Sequence, residues 1–485
     1  MRDPMRRIAR SHMLRQAARA IRVFVLLCAV VYGAQLAPAY SVLTHEQVVD
    51  LLWKDQIEPL LKKRFPQATE KNLREAHAYA YGGSMIQDMG YYPFGNKFFS
   101  DLLHYVRSGD FVMNLIDDSS DLNEYAFALG ALAHYASDNT GHPMVNHVVA
   151  IEFPALKKKY GDLVTYADDP KAHIRTEFGF DMVQVAKNRY TSDRYHDFIG
   201  FEVSQRLLDR TFKKTYGLNM DDVLADEDLA IGTFRWSVSQ VIPGMTRVAL
   251  LSRRDEMVKE DRNFDKKKFL FYLSRANYEK EWGRGYRRPG FGSRLLAFFL
   301  KIIPKVGPFK AVNFKVPTPQ SEDLYITSID RTVEEYQSEL KQVGGHRLSL
   351  ENRDCDTGNE TRPGEYALSD TTYAKLVDKL ADQDFDQLPP ELQANVLHYF
   401  ARAEAPIANR KSRKTWARAR KKLANPPPVR GSPAMKDSAR KSRQVPLMTT
   451  LGRPTALMRG RPAALPMIYT SPPLAPYMKV CPTSP

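Results

Sequence analysis

His134-Tyr135-Ala136-Ser137-Asp138-Asn139-Thr140-Gly141-His142-Pro143-Met144-Val145-Asn146 decides how this chain is read. An apolar run, Tyr125 to Ala133, leads into it, and Asp121 is placed to cap the start of a helix. His134, Asp138 and His142 then fall at i, i+4 and i+8. On a helix they form one row, with neighbours roughly 6 Å apart along the axis. The row begins where the apolar packing ends. Two imidazoles and a carboxylate that can bridge two ions are what a metal site requires, whereas a solvated helix face requires no such pattern.

Other segments add donors. The chain has eleven histidines in 485 residues. Eight of them (His45, His77, His104, His134, His142, His147, His173, His196) lie between positions 45 and 196. Asp168 to Glu177 opens another helix, with His173 and Glu177 at i, i+4 on one face as a two-ligand half-site. Gln87-Asp88 ends a helix upstream. His104 sits in the apolar stretch Phe98–Tyr105. His45 follows Thr44 in a capping-box pattern, Thr44-His45-Glu46-Gln47, at the start of a first helix. Five segments thus offer His or Asp/Glu, more than one zinc ion needs.

In this order the segments resemble the zinc-dependent phospholipase C superfamily. It embraces bacterial phospholipases C, glycosylphosphatidylinositol-specific phospholipase D and the three-zinc single-strand nucleases. The resemblance covers roughly residues 40–260. It rests on Tyr40, His45, Asp88, His104, His134, Asp138, His142, His173 and Glu177 in sequence order. It implies an all-α domain around a trinuclear zinc site. Zinc 1 would be held by His104, His134 and Asp138, with Asp88 beside it. Zinc 2 would be held by His142, His173 and Glu177. Zinc 3 would take the amine and carbonyl of Tyr40, with His45 and Asp138. Asp88 is either a ligand or the base that orients the attacking water. Asn146 matches the asparagine that closes the family motif and is expected to hydrogen-bond behind the ligands. Two departures stand out. The Asp138–His142 gap of three residues resembles the glycosylphosphatidylinositol-specific branch, and Tyr40 replaces the tryptophan of the bacterial lipases and nucleases.

Residues 1–39 read as a signal peptide. Arginines precede the apolar run Val23–Val31, which is too short to span a bilayer, and Ala37-Pro38-Ala39 fits a cleavage site. Cleavage after Ala39 would free the Tyr40 amine and deliver a secreted or periplasmic protein. Of three cysteines, Cys28 leaves with the signal, so neither a disulfide framework nor a thiolate zinc site is expected. The formal charge of +15 is concentrated at the ends. Residues 405–485 are rich in Lys, Arg and Pro with one acid, Asp437, while acids slightly outnumber bases in 40–404. A body without basic excess argues against a nucleic-acid partner.

The remaining expectations are architectural. Residues 40–260 form the catalytic domain, and 261–404 a helical extension with helices over 322–343, 371–381 and 391–403. Residues 405–485 are expected to be a disordered basic tail. Asn352–Gly364 reads as a turn-rich loop without EF-hand spacing. His77, His147 and His196 read as structural histidines. Glu152 competes with Glu177, but the i, i+4 relation to His173 favours Glu177. Within 291–309 an apolar centre, Leu295–Ile303, interrupted only by Lys301, is flanked by Arg294 and Lys305. It reads as a buried helix closing the core, with an interfacial segment as the competing reading. The expected protein is a monomeric phospholipid phosphodiesterase with three zinc ions, meeting a membrane surface through 291–309 and the tail. A single-strand nuclease, another phosphoesterase and a non-enzymatic zinc-stabilised binding protein are the alternatives.

Overall fold

The computed structural model describes residues 42–186, 201–238, 316–386, 388–401 and 410–424. The expected signal peptide, Tyr40, His196, the 291–309 segment and the tail beyond 424 lie outside them. The described residues form an all-α fold without a strand; one isolated bridge joins Arg353 and Glu360.

The first helices are α1 (Val42–Leu52), continued by a π turn to Ile57, α2 (Glu58–Arg64) and α3 (Glu70–Gly83). A 3-10 turn over Ile86–Tyr91 leads to α4 (Lys97–Tyr105), α5 (Ser108–Asp118) and α6 (Leu122–Glu152). Then come α7 (Pro154–Tyr160), α8 (Pro170–Ala186), α9 (Gln205–Tyr216) and α10 (Glu227–Trp236). After the gap follow α11 (Pro319–Gly344), α12 (Ala367–Asp382), α13 (Pro390–Tyr399) and α14 (Arg410–Ala424).

α6 is the axle. Every residue from Glu124 to Asn139 is buried, as a helix apolar all round must be. Asp121 caps it as expected, accepting the Glu124 N–H at 2.8 Å. α3 packs against one side through glycines. A Cβ on Gly130 would lie 2.0 Å from the Ala80 carbonyl oxygen, and one on Gly83 would lie 1.9 Å from that of Phe127. Only glycine lets the two backbones come so close. α11 covers another side, with Tyr336 OH donating to the Leu129 carbonyl at 2.9 Å. One apolar core joins residues of 42–238 with Tyr336, Leu340, Tyr373, Leu376 and Val396, so the described part of the extension shares the core of the segment before it.

Two expectations are corrected. The Thr44–Gln47 capping box is absent. α1 already starts at Val42, and Asp181 of α8 serves its first turn, accepting Leu43 N–H at 3.1 Å and the Thr44 hydroxyl at 2.8 Å. α6 also runs on through Pro143 to Glu152, because packing on both sides outweighs one missing backbone hydrogen bond. Second, the expected disordered tail begins too early. Residues 410–424 form α14, whose Trp416 and Ala419 are buried and whose Trp416 ring lies 4.4 Å from that of Phe400. The charge of this segment hides a stripe of Trp416, Ala419 and Leu423 at helical spacing.

Candidate metal centre

α6 delivers His134, Asp138 and His142 as one row, all fully buried. Asp138 faces two ways. Its Oδ2 lies 3.1 Å from His134 Nε2 and 3.3 Å from His104 Nε2. Its Oδ1 lies 3.6 Å from both His45 Nε2 and His142 Nε2. Four imidazoles from α1, α4 and α6 therefore surround one carboxylate. The 3-10 turn adds Asp88, with Oδ1 at 3.4 Å from His104 Nε2.

Backbone carbonyls set the tautomers. His104 Nδ1 donates to Ser100 O at 2.8 Å and His134 Nδ1 to Ser84 O at 2.9 Å. A carbonyl only accepts, so each Nδ1 carries a proton and Nε2 is the ring nitrogen left to meet an ion. The two Nε2 atoms lie 3.3 Å apart. His173 is set the other way, Nε2 donating to Val164 O at 2.5 Å and Nδ1 turned to Glu177 Oε1 at 3.4 Å.

Both oxygens of Asp88, Asp138 and Glu177, and His173 Nδ1, are buried and take no hydrogen bond among the described residues. Each buried orphan carboxylate costs several kcal/mol, roughly, unless a cation offsets it. Three groups lie close enough to share an ion: His45, His134 and Asp138; Asp88, His104 and His134; and His142, His173 and Glu177. All-imidazole and carboxylate donors with convergent lone pairs suit zinc.

Acting on one another alone, these groups trade protons. Burial works against protonating His142, but Asp138, then Asp356 and Glu177, push it up to about 9. Burial likewise opposes His104, yet Asp138 and Asp88 hold it well above an ordinary histidine. Burial and the neighbouring His134 depress His45. Burial raises Glu177, with His173 opposing.

Of the residues expected at the site, eight fall in the described chain, and all eight occur in these three groups: His45, Asp88, His104, His134, Asp138, His142, His173 and Glu177. His77 is structural, bonded to Asp50 Oδ1 at 2.9 Å and stacked on Trp53. His147 is exposed. Glu152 is spent elsewhere, accepting from Thr318 N at 2.9 Å and Ser321 Oγ at 2.6 Å at the start of α11. Asn146 bonds the Asp356 carbonyl at 2.9 Å. The residue missed is Asp356 itself, whose Oδ1 lies 4.0 Å from His142 Nδ1. The only sequence signal for it was the density of acids in Asn352–Gly364.

Residues 44–222 match the family described as zinc dependent phospholipase C. No curated protein and no solved structure matched the chain. The similarity is confined to this segment, and the residues of the three groups, from His45 to Glu177, all fall inside it. Among the described residues no helix is long and apolar enough to cross a membrane.

Proposed function

We propose that the chain is an exported phosphodiesterase of the phospholipase C type that works with three zinc ions on phospholipid head groups. The observation that carries the proposal is the cluster of buried carboxylates around imidazole lone pairs, inside a segment of this family. His104, His134, Asp138 and Asp88 would hold the first ion, and His142, His173 and Glu177 the second. His45, Asp138 and the freed amine and carbonyl of Tyr40 would hold the third. Bound zinc supplies a Lewis acid for phosphodiester oxygens and acidifies water toward neutral pH.

The chain's own groups divide the remaining work. Asp138 holds two pairs of imidazoles apart at fixed spacing, one pair per oxygen. The Ser84, Ser100 and Val164 carbonyls fix three rings, so little reorganisation is needed on reaction. Asp88, whose oxygens take no hydrogen bond among the described residues, would serve as a ligand or take the proton of the attacking water. The apolar, basic-rimmed sequence 291–309 and the Lys/Arg-rich tail suit contact with an anionic lipid surface. The protein is taken as a monomer. A parallel assay on phosphatidylcholine vesicles, a phosphatidylinositol-glycan and single-stranded DNA tests the reading. Turnover of a lipid substrate, lost with chelation and restored by zinc, is expected. Cleavage of DNA alone would replace the lipid reading with a nuclease.

A further inference from the structure

We infer that Asp356 is a positioning residue for His142, so that a loop far outside the matched segment completes the metal centre. The inference rests on the zinc reading above and adds a residue to it.

The Asp356 carboxylate is only 3 % exposed. Its Oδ2 is tied down by two phenols, Tyr105 OH at 2.8 Å and Tyr366 OH. Both hydroxyls are held protonated, by burial first and by the Asp356 charge second. That leaves Oδ1 turned toward His142 Nδ1 at 4.0 Å. His142 is the only basic side chain within that range of Asp356 among the described residues. The opposite ring nitrogen, Nε2, faces the shared Asp138 oxygen at 3.6 Å.

A ring that offers one nitrogen to a metal is held by an acceptor on the other. His104, His134 and His173 each use a backbone carbonyl for this. His142 instead meets a carboxylate. At 4.0 Å the contact is longer than a hydrogen bond and acts as a charge interaction between carboxylate and ring.

The loop is built to hold that carboxylate in place. Cys355 N–H donates to the His104 carbonyl at 3.1 Å, and Asn146 Nδ2 to the Asp356 carbonyl at 2.9 Å. Pro143 has no N–H to give the Asn139 carbonyl four residues back. Gly358 packs at that carbonyl, where a Cβ would come within 2.4 Å of the oxygen, and its φ of +70° also favours glycine. The loop thus grips α4 and α6 beside His104 and His142.

The test uses the mature full-length chain and zinc competition against chelators of graded strength. Asp356→Asn is expected to weaken one zinc site about 10- to 100-fold and leave the others unchanged. Added to His142→Ala, it should cause no further loss. Exposed Glu351→Gln in the same loop should change nothing. Unchanged zinc affinities in Asp356→Asn would overturn the inference. So would equal weakening of all sites together with a lower melting temperature, which marks a merely structural role. Should Asp356→Asn fail to fold, Tyr366→Phe and Tyr105→Phe loosen the same carboxylate. A selective loss of a few-fold at one site supports the inference, and no change overturns it. A wild-type chain that binds no zinc would overturn the metal reading along with this one. Zinc-loaded wild type with an unaffected Asp356→Asn would overturn this one alone.

Discussion

Asp138→Asn is the substitution that tests the architecture of the centre most directly. Asparagine keeps the volume but has one acceptor oxygen and one amide nitrogen. Asp138 uses both oxygens, Oδ2 toward His134 and His104 and Oδ1 toward His45 and His142. The amide therefore fails one pair of imidazoles outright and serves the other with a neutral oxygen. Loss of an outer partner of a metal ligand costs about 10- to 100-fold in affinity, so losing a ligand costs at least about 100-fold, or about 2.7 kcal/mol, at each ion. Two ions should be lost. Glu177 faces one group only, with Oε1 at 3.4 Å from His173 Nδ1, so Glu177→Gln should lose one. Elemental analysis after dialysis against a weak chelator reads the difference, about three zinc ions in wild type, one in Asp138→Asn and two in Glu177→Gln. Activity should fall with the metal content in both variants, and further in Asp138→Asn. Equal metal loss in the two variants, or activity lost with metal content intact, would refute the bridging geometry.

Zinc competes with a proton for His142, whose folded value lies near 9 against an ordinary 6.5. Proton-linked stability of the metal-free chain is thus full below about 6.5 and lost as the pH rises through about 9. Apparent zinc affinity at that site should drop about tenfold per pH unit below about 9, and a chelator competition that is flat with pH would contradict it. Gly130→Ala forces a Cβ to within 2.0 Å of the Ala80 carbonyl. The expected cost is about 3 kcal/mol despite alanine's better helix propensity, and an unchanged denaturation midpoint would show that α3 and α6 do not touch there. A methionine placed before Tyr40 should weaken one zinc ion by moving the terminal amine. Mass spectrometry showing another mature terminus in a fully metallated, active chain would dismiss Tyr40.

The parts of the centre that the sequence disclosed are those whose geometry is local. His134, Asp138 and His142 share one helix, and His173 and Glu177 another, so spacing alone puts each set on one face. The capping of α6 by Asp121 is equally local. The Asp181 cap of α1 was hidden because it reaches back 137 residues to the Thr44 hydroxyl. Thr44 itself carries a capping signature that tertiary contacts overrule. Asp356 was hidden for the same reason, since Asn146 meets its carbonyl across 210 residues. Its side chain also imitates the acids of an ordinary loop. α14 shows a different failure. Net charge dominates the composition of 410–424, while Trp416 and Ala419 decide where the segment lies.

The long-range contacts also bear on where the functional unit ends. The family match stops at 222, and the catalytic domain expected from the sequence ends at 260. Yet α11 supplies Tyr325, whose hydroxyl lies 2.6 Å from Thr44 Oγ1 one residue before His45. Thr332 meets Thr140 at 2.6 Å beside the row of ligands on α6. Tyr366 and Asp356 close over His142 from a third direction. Helices alone leave ligands free to shift by the small distances on which metal affinity depends. Packing against α1, α6 and the ligand rings removes that freedom. A chain cut near 260 would retain every proposed ligand and lose several of the groups that hold them in register. Residues 316–401 therefore help to hold the proposed ligands in register.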